Sequence, residues 1–149
     1  MRNKKLFTLL TITLTIFTFS FFAGSLRADT KKPMTADDFI SECGDLITEI
    51  NVAEGKKLLE NGDCLFLDCR TEKEFKRGSV PNSINVQRGL LEFKIGKQAP
   101  EKETKIIIYC KSGKRSALST CTLTKMGYTN ILSMAGGWKA WVEAGYPVN

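Results

Sequence analysis

The sequence contains no histidine among its 149 residues. Without an imidazole, the chain has no Ser-His-Asp triad, no Cys-His nucleophile pair and no histidine-ligated metal site. None of its five cysteines are spaced as Cys-x-x-Cys, so neither a zinc knuckle nor a thioredoxin motif is indicated. Any chemistry must therefore depend on thiols, carboxylates, amines, hydroxyls or the backbone.

Charge is absent from one long stretch near the N-terminus. The 17 residues Leu6–Phe22 are uncharged, basic residues stand at positions 2, 4 and 5, and small residues follow at 23–25. This order predicts a secretory signal over residues 1–28, which places the domain outside the cytoplasm and, in a Gram-negative bacterium, in the periplasm. An uncleaved N-terminal anchor is the alternative, because the run is slightly long for a signal.

The excess of basic residues lies mainly within this predicted signal. The whole chain has 22 Lys and Arg against 16 Asp and Glu, a net charge of +6. Removal of residues 1–28 takes away four basic and no acidic residues and leaves +2. This small remainder gives no reason to expect a nucleic-acid partner, and no membrane partner is expected unless the signal is retained.

The odd number of cysteines limits the disulfide pattern. In an exported chain, cysteines usually form disulfides. With five, at least one thiol must stay free, pair between molecules or take part in chemistry. We predict that Cys121 is a core residue and that Cys43 and Cys64 are able to pair, although spacing alone does not give the connectivity.

The rest of the chain alternates between strand and helix patterns. Residues 29–46 are predicted to form a polar linker and a short helix, and residues 47–149 a single domain. Strands are predicted at 46–50, 64–67, 84–86, 106–109 and 131–134. Helices are predicted at 36–43, 52–59, 71–76, 116–126 and 138–144, with a mixed helix or loop at 88–98. This alternation predicts an α/β fold, with a parallel sheet covered by helices on both faces.

Cys110 follows the predicted strand 106–109 and precedes a short loop, Lys111–Arg115, that leads into a helix beginning near Ser116. Ligands of open α/β sheets bind at this carboxyl edge of the strands. Loop N–H groups, a helix N-terminus and nearby cations all stabilise a thiolate, so we expect the pKa of Cys110 to lie well below about 8.5. The loop is a candidate anion cradle with a nucleophilic sulfur at its floor. The alternative is a structural cysteine beside a solvated basic turn.

Four ordered blocks of residues carry a family resemblance. They are Leu67-Asp68-Cys69-Arg70 with Glu74-Phe75, Gly78 to Asn85, Tyr109 to Ser116, and Gly136 to Trp141 with Gly145 to Val148. Together they resemble single-domain rhodaneses of the thiosulfate sulfurtransferase type. The resemblance implies a five-stranded parallel sheet between helices, with Cys110 carrying a persulfide sulfur from a donor to an acceptor.

The length of the loop separates sulfurtransferases from their relatives. Four residues lie between Cys110 and Arg115, the length that sulfurtransferases share, whereas related phosphatases and arsenate reductases have one residue more. A tighter ring of N–H groups suits a single persulfide sulfur better than a tetrahedral phosphate. A phosphatase or arsenate reductase is therefore the less favoured enzyme class, and a docking or sulfur-carrier module without useful turnover is the main alternative.

For a rhodanese-type enzyme we expect Cys110 to be the catalytic residue. The expected substrate-binding residues are Lys111, Ser112, Gly113, Lys114, Arg115 and Ser116. We expect Asp68, Arg70 and Glu74 to form an ion-pair and hydrogen-bond set that supports the strand end beneath the loop. The expected partners are a small anionic donor such as thiosulfate, a thiol or cyanide acceptor and a redox protein. No metal or organic cofactor is needed, and a monomer is expected.

Two residues depart from the family pattern. Ser79 stands where the family commonly has a structural histidine, a change that we expect to be tolerated. Cys69 stands where a small aliphatic residue is usual, and we interpret it as a core side chain. A resolving thiol that forms a disulfide with Cys110 is the alternative. Trp138 and Trp141 are interpreted as packing residues, with a place for Trp138 at the pocket rim as the alternative.

Overall fold

A five-stranded parallel β-sheet organises the chain, as the sequence predicts. Its strands are β1 (Glu49–Ile50), β2 (Leu65–Asp68), β3 (Ile84–Asn85), β4 (Ile106–Tyr109) and β5 (Ile131–Met134). Their spatial order is β1-β5-β4-β2-β3, and every neighbouring pair is parallel. The computed structural model describes residues 32–149, so the predicted signal and the first residues of the predicted linker lie outside the described residues.

Helices precede, connect and follow the strands. They are α1 (Ala36–Cys43), α2 (Val52–Asn61), α3 (Glu72–Phe75), α4 (Leu91–Gln98), α5 (Lys114–Lys125) and α6 (Gly137–Glu143). Capping boxes begin α1 at Thr35 and α2 at Asn51, directly before the helices predicted to start at residues 36 and 52. No helix within residues 32–149 combines the length and the apolar character needed to span a bilayer.

The sheet buries one apolar cluster on each face, because successive side chains of a strand point to opposite sides. On one face Leu67 and Ile108 pack with Leu91, Ile95 and Leu123, which come from α4 and α5. On the other face, residues of β2 and β4 pack with residues of α2 and α6, namely Phe66, Ile107, Leu58, Leu59 and Trp141. Helices on both faces of a parallel sheet are the predicted α/β arrangement.

The central strands β2 and β4 bring the sequence block that contains Cys69 next to the block that contains Cys110. Leu67 is in register with Ile108, and Asp68 with Tyr109. Beyond the end of β2, the Cys69 amide still donates to the Tyr109 carbonyl at 2.9 Å. The next residue on each strand is a cysteine, so Cys69 and Cys110 meet at the carboxyl edge of the sheet.

The disulfide joins a different pair of cysteines from the one that the sequence suggested. Cys43, at the end of α1, is bonded to Cys121 in the middle of α5, with 5.9 Å between their Cα atoms. Cys64 instead keeps a free thiol that donates to the Leu58 carbonyl at 3.3 Å. The suggested Cys43–Cys64 pair fails because Cys64 packs against the cluster on the opposite face of the sheet from α5. Cys121 is buried, as predicted for a core residue, and the disulfide to Cys43 is an additional bond that the sequence did not indicate.

Candidate active site

Cys110 lies at the point where β4 gives way to the predicted loop. The thiol is buried, with 1% of the residue exposed, and its Sγ accepts a hydrogen bond from the Gly113 amide at 3.2 Å. Gly113 has a φ of +104°, which lets the chain turn back over the sulfur before α5 begins at Lys114. The Ser116 hydroxyl donates to the Gly113 carbonyl at 2.7 Å and fixes this turn. α5 therefore begins two residues earlier than the expected start near Ser116.

The surroundings of Cys110 favour its thiolate. A hydrogen bond from the Cys69 thiol contributes most, and the amides of Ser112, Ser116 and Gly113 add to it against the opposing effect of burial. Together they lower the pKa of Cys110 to about 4. The same hydrogen bond and burial raise the pKa of Cys69, so at neutral pH the pair is one thiolate and one thiol. The sequence predicts the direction of the Cys110 shift but not the contribution of Cys69.

We expect the thiolate of Cys110 to persist into acid. In a titration followed by the ultraviolet absorbance of thiolates, the acid-most transition should have its midpoint at about pH 4. Burial raises the pKa of Cys64, so that thiol does not contribute at this pH. Cys69→Ala should move the Cys110 midpoint to higher pH, because it removes the main hydrogen bond to the thiolate. An unchanged midpoint in Cys69→Ala would contradict the role assigned to Cys69.

The cations expected to hold the donor are partly engaged with carboxylates. Arg115 makes a bidentate ion pair with Glu74, in which its two terminal nitrogens lie 3.0 Å and 3.1 Å from the two carboxylate oxygens. This pair is the main reason that the pKa of Glu74 falls to about 2. Lys114 reaches Asp37 of α1 at 2.8 Å, whereas the Lys111 side chain is exposed. Lys111 and Ser112, both exposed, stand at the solvent side of the loop.

The expected support set divides into two ion pairs. Asp68 and Arg70 are buried together, with a closest contact of 2.6 Å, and Arg70 also donates to the Gly78 carbonyl at 2.7 Å. Glu74 does not join them, because its place in α3 turns it toward Arg115 of α5. Expecting Glu74 in one set with Asp68 and Arg70 was therefore wrong. Instead, Glu74 ties α3 to the first turn of the helix that follows Cys110.

The two tryptophans pack as the sequence analysis interprets them. Trp141 is fully buried and lies edge-on to Phe66 at a centroid distance of 6.3 Å. The ring of Trp138 lies 4.5 Å from the Arg70 guanidinium, a cation–π contact. Trp138 also donates its amide to the Cys110 carbonyl at 2.7 Å. The α6 N-terminus thereby fixes the backbone of Cys110.

Ser79, at the other departure from the family pattern, occupies a structural position. It is buried, and its backbone pairs with that of Asn149 through hydrogen bonds of 3.3 Å and 3.0 Å. At the position where the family commonly has histidine, backbone hydrogen bonds to Asn149 therefore hold the chain in place.

Close approach of α6 to the loop depends on a glycine. Gly137 has a φ of +54°, and a Cβ placed on it would collide with the Cys110 carbonyl oxygen. We expect Gly137→Ala to lower the free energy of unfolding by about 3 kcal/mol and to displace Cys110, with a loss of sulfur transfer. Gly145 has a φ of +68° but open space around it, so Gly145→Ala should cost only about 1 kcal/mol. Equal losses in urea unfolding of the two variants would rule out the collision.

The chain belongs to the rhodanese-like family. The model of the rhodanese-like domain matches residues 51–144. Over 93 residues the chain is 29% identical to a sulfurtransferase of Allochromatium vinosum, covering 62% of this chain and 85% of that protein. It is 31% identical over 117 residues to thiosulfate sulfurtransferase 18 of Arabidopsis thaliana, covering 69% and 84% of the two chains. These relatives support sulfurtransferase activity in general.

Solved structures agree with the fold. A Rhodopseudomonas palustris protein of unknown function, described as a possible tyrosine phosphatase, superposes with a TM-score of 0.69 at 31% identity. The match covers 80% of this chain and 100% of that one. Because that protein carries a different suggested activity on the same fold, the fold does not decide the reaction, and the site must do so.

Proposed function

We propose that the protein is an exported sulfurtransferase that carries the sulfane sulfur of thiosulfate, or of a similar small anion, as a persulfide on Cys110. The observation that carries the proposal is the buried Cys110 sulfur, which accepts a hydrogen bond from the Gly113 amide at 3.2 Å and lies beside Cys69. These surroundings lower the pKa of Cys110 to about 4. A thiolate is the attacking form of cysteine, and this one is fully ionised at neutral pH. Members of the same family include sulfurtransferases, which supports the reaction class.

The first half-reaction is a displacement at sulfur. The Cys110 thiolate attacks the outer sulfur of thiosulfate, the bond between the two thiosulfate sulfurs breaks, and sulfite leaves with the electron pair. Lys111 and Lys114, both exposed beside the loop, attract the dianionic donor and screen the departing sulfite. The loop amides then face an anionic persulfide and stabilise it.

In the second half-reaction an acceptor removes the outer sulfur. Cyanide attacks that sulfur, forms thiocyanate and returns Cys110 as a thiolate. A small thiol or a protein thiol does the same and becomes a persulfide itself. Cys110 therefore begins and ends each cycle in the same state, and no metal or organic cofactor is needed.

Two features support export. Residues 1–28 have the order of a secretory signal. The Cys43–Cys121 disulfide is of a kind that persists outside the reducing cytoplasm. In a Gram-negative host the proposed compartment is the periplasm.

Intact-protein mass spectrometry tests the proposal. Thiosulfate should add one sulfur, about 32 Da, to Cys110, and cyanide added at once should remove it. Peptide mapping should place the added sulfur on Cys110. Absence of both this adduct and released sulfide would contradict the proposal and favour a docking module. Hydrolysis of an aryl phosphate that is lost in Cys110→Ser would favour a phosphatase instead.

A further inference from the structure

A second free thiol lies beside the Cys110 thiolate. Among the described residues the free cysteines are Cys64, Cys69 and Cys110, and Cys64 packs against the opposite face of the sheet. Cys69 and Cys110 belong to the same buried cluster, and each is 1% exposed. The proposed transfer cycle uses only Cys110 as a nucleophile and gives Cys69 no role beyond its hydrogen bond to that thiolate.

The strand register sets the separation of these two cysteines. Asp68 and Tyr109 are paired across β2 and β4, and the Cys69 amide continues the ladder to the Tyr109 carbonyl at 2.9 Å. Adjacent strands lie roughly 4.8 Å apart, and a disulfide needs Cα atoms about 4.4–6.8 Å apart. Paired positions of parallel strands also direct their side chains to the same face. A bond between the two sulfurs therefore requires little movement of the backbone.

We propose that Cys69 is a resolving thiol that cleaves the Cys110 persulfide, releases hydrosulfide and leaves a Cys69–Cys110 disulfide. The inference rests on the proposed function in that Cys110 must carry a persulfide. It adds a second outcome for the bound sulfur, which is reduction to sulfide in the absence of an acceptor. The resting protein keeps both thiols free.

The step balances without an external oxidant. The Cys69 sulfur attacks Sγ of Cys110, and the bond from that Sγ to the sulfane sulfur breaks. The sulfane sulfur takes the bonding electron pair and the proton of Cys69, and it leaves as hydrosulfide. The sulfane sulfur is reduced by two electrons, and the two cysteine sulfurs are together oxidised by two. A thiol or dithiol reductant then restores both thiols for a further cycle.

Formation of the persulfide also changes the state of Cys69. In the resting site the neighbouring Cys110 thiolate is the main reason that the pKa of Cys69 is raised. In the persulfide the negative charge moves outward by one sulfur, toward the loop amides. Loading of Cys110 therefore weakens the main effect that keeps Cys69 protonated and favours its attack.

The test loads the full mature protein in two ways and follows the fate of the sulfur. Thiosulfate loads Cys110 through the proposed transfer, and inorganic polysulfide loads thiols directly. After excess donor is removed, the unmodified protein should release sulfide and become about 2 Da lighter than its reduced form, with a mapped Cys69–Cys110 disulfide. In Cys69→Ser the persulfide should last at least about tenfold longer and still be removable by cyanide.

Cys64→Ser is the matched control, because it removes the other free thiol and should leave sulfide release unchanged. A persulfide that lasts as long in the unmodified protein as in Cys69→Ser would overturn the inference. If polysulfide loads Cys110 and thiosulfate does not, the proposed donor fails while the role of Cys69 is still decided. No persulfide from either donor in Cys69→Ser would overturn both.

Discussion

Cys110→Ser should abolish the transfer of sulfur from thiosulfate to cyanide. A serine hydroxyl is not ionised at neutral pH and is a far weaker nucleophile than the thiolate that it replaces. Formation of thiocyanate should therefore fall by at least about a thousandfold. The thiosulfate adduct should disappear from the mass spectrum in the same variant.

The matched control for this loss is Cys64→Ser. Cys64, the residue before β2, is also a free thiol, but it lies outside the site and donates to the Leu58 carbonyl. Its removal should leave the rate of thiocyanate formation within about twofold of the unmodified protein. Substantial thiocyanate formation by Cys110→Ser would show that another group carries the sulfur.

Removal of the Cys43–Cys121 disulfide should lower the free energy of unfolding by more than Gly137→Ala or Gly145→Ala does. The two cysteines are separated by 78 residues, so the bond closes a large loop in the unfolded chain. A loop of this size corresponds to about 4.5 kcal/mol in the chain-entropy description. The double variant Cys43→Ser, Cys121→Ser should lose about this much free energy of unfolding in urea.

The control for this loss is a reductant. Mild reduction should destabilise the unmodified protein and leave the double variant unaffected. Since α1 is bonded to α5, reduction should also expose the amides of α1 to hydrogen exchange before those of the sheet. A double variant as stable as the disulfide-bonded protein would show that α1 holds its place through other contacts, such as the ion pair of Asp37 with Lys114.

The strands and helix caps could be predicted because their signals are local. A continuous apolar run marks β4, and a mainly apolar segment with Ser133 in it marks β5, both at the residues where the structure has them. Thr35 and Asn51 each act with a carboxylate three residues later, so both helix starts were readable from short segments. The identification of Cys110 as the candidate nucleophile likewise needed only a strand, a glycine and the start of a helix.

The contacts that sequence reasoning missed join distant segments. The disulfide spans 78 residues, the Lys114–Asp37 contact 77, and the Arg115–Glu74 pair 41. Each depends on how one helix packs on another, which local patterns do not encode. The contribution of Cys69 to the Cys110 thiolate was missed for the same reason, since it follows from the register of β2 with β4.

The burial of Cys69 and Cys110 limits the size of the molecules that can contact their sulfur atoms. Each residue is 1% exposed, whereas the enzymes that exchange disulfides in exported proteins must bring their own sulfur into contact with the target. A reactant must therefore be as small as thiosulfate or cyanide, or must present its own sulfur on a narrow segment that enters the loop. Burial therefore restricts which oxidants can contact the reduced Cys69 and Cys110 pair.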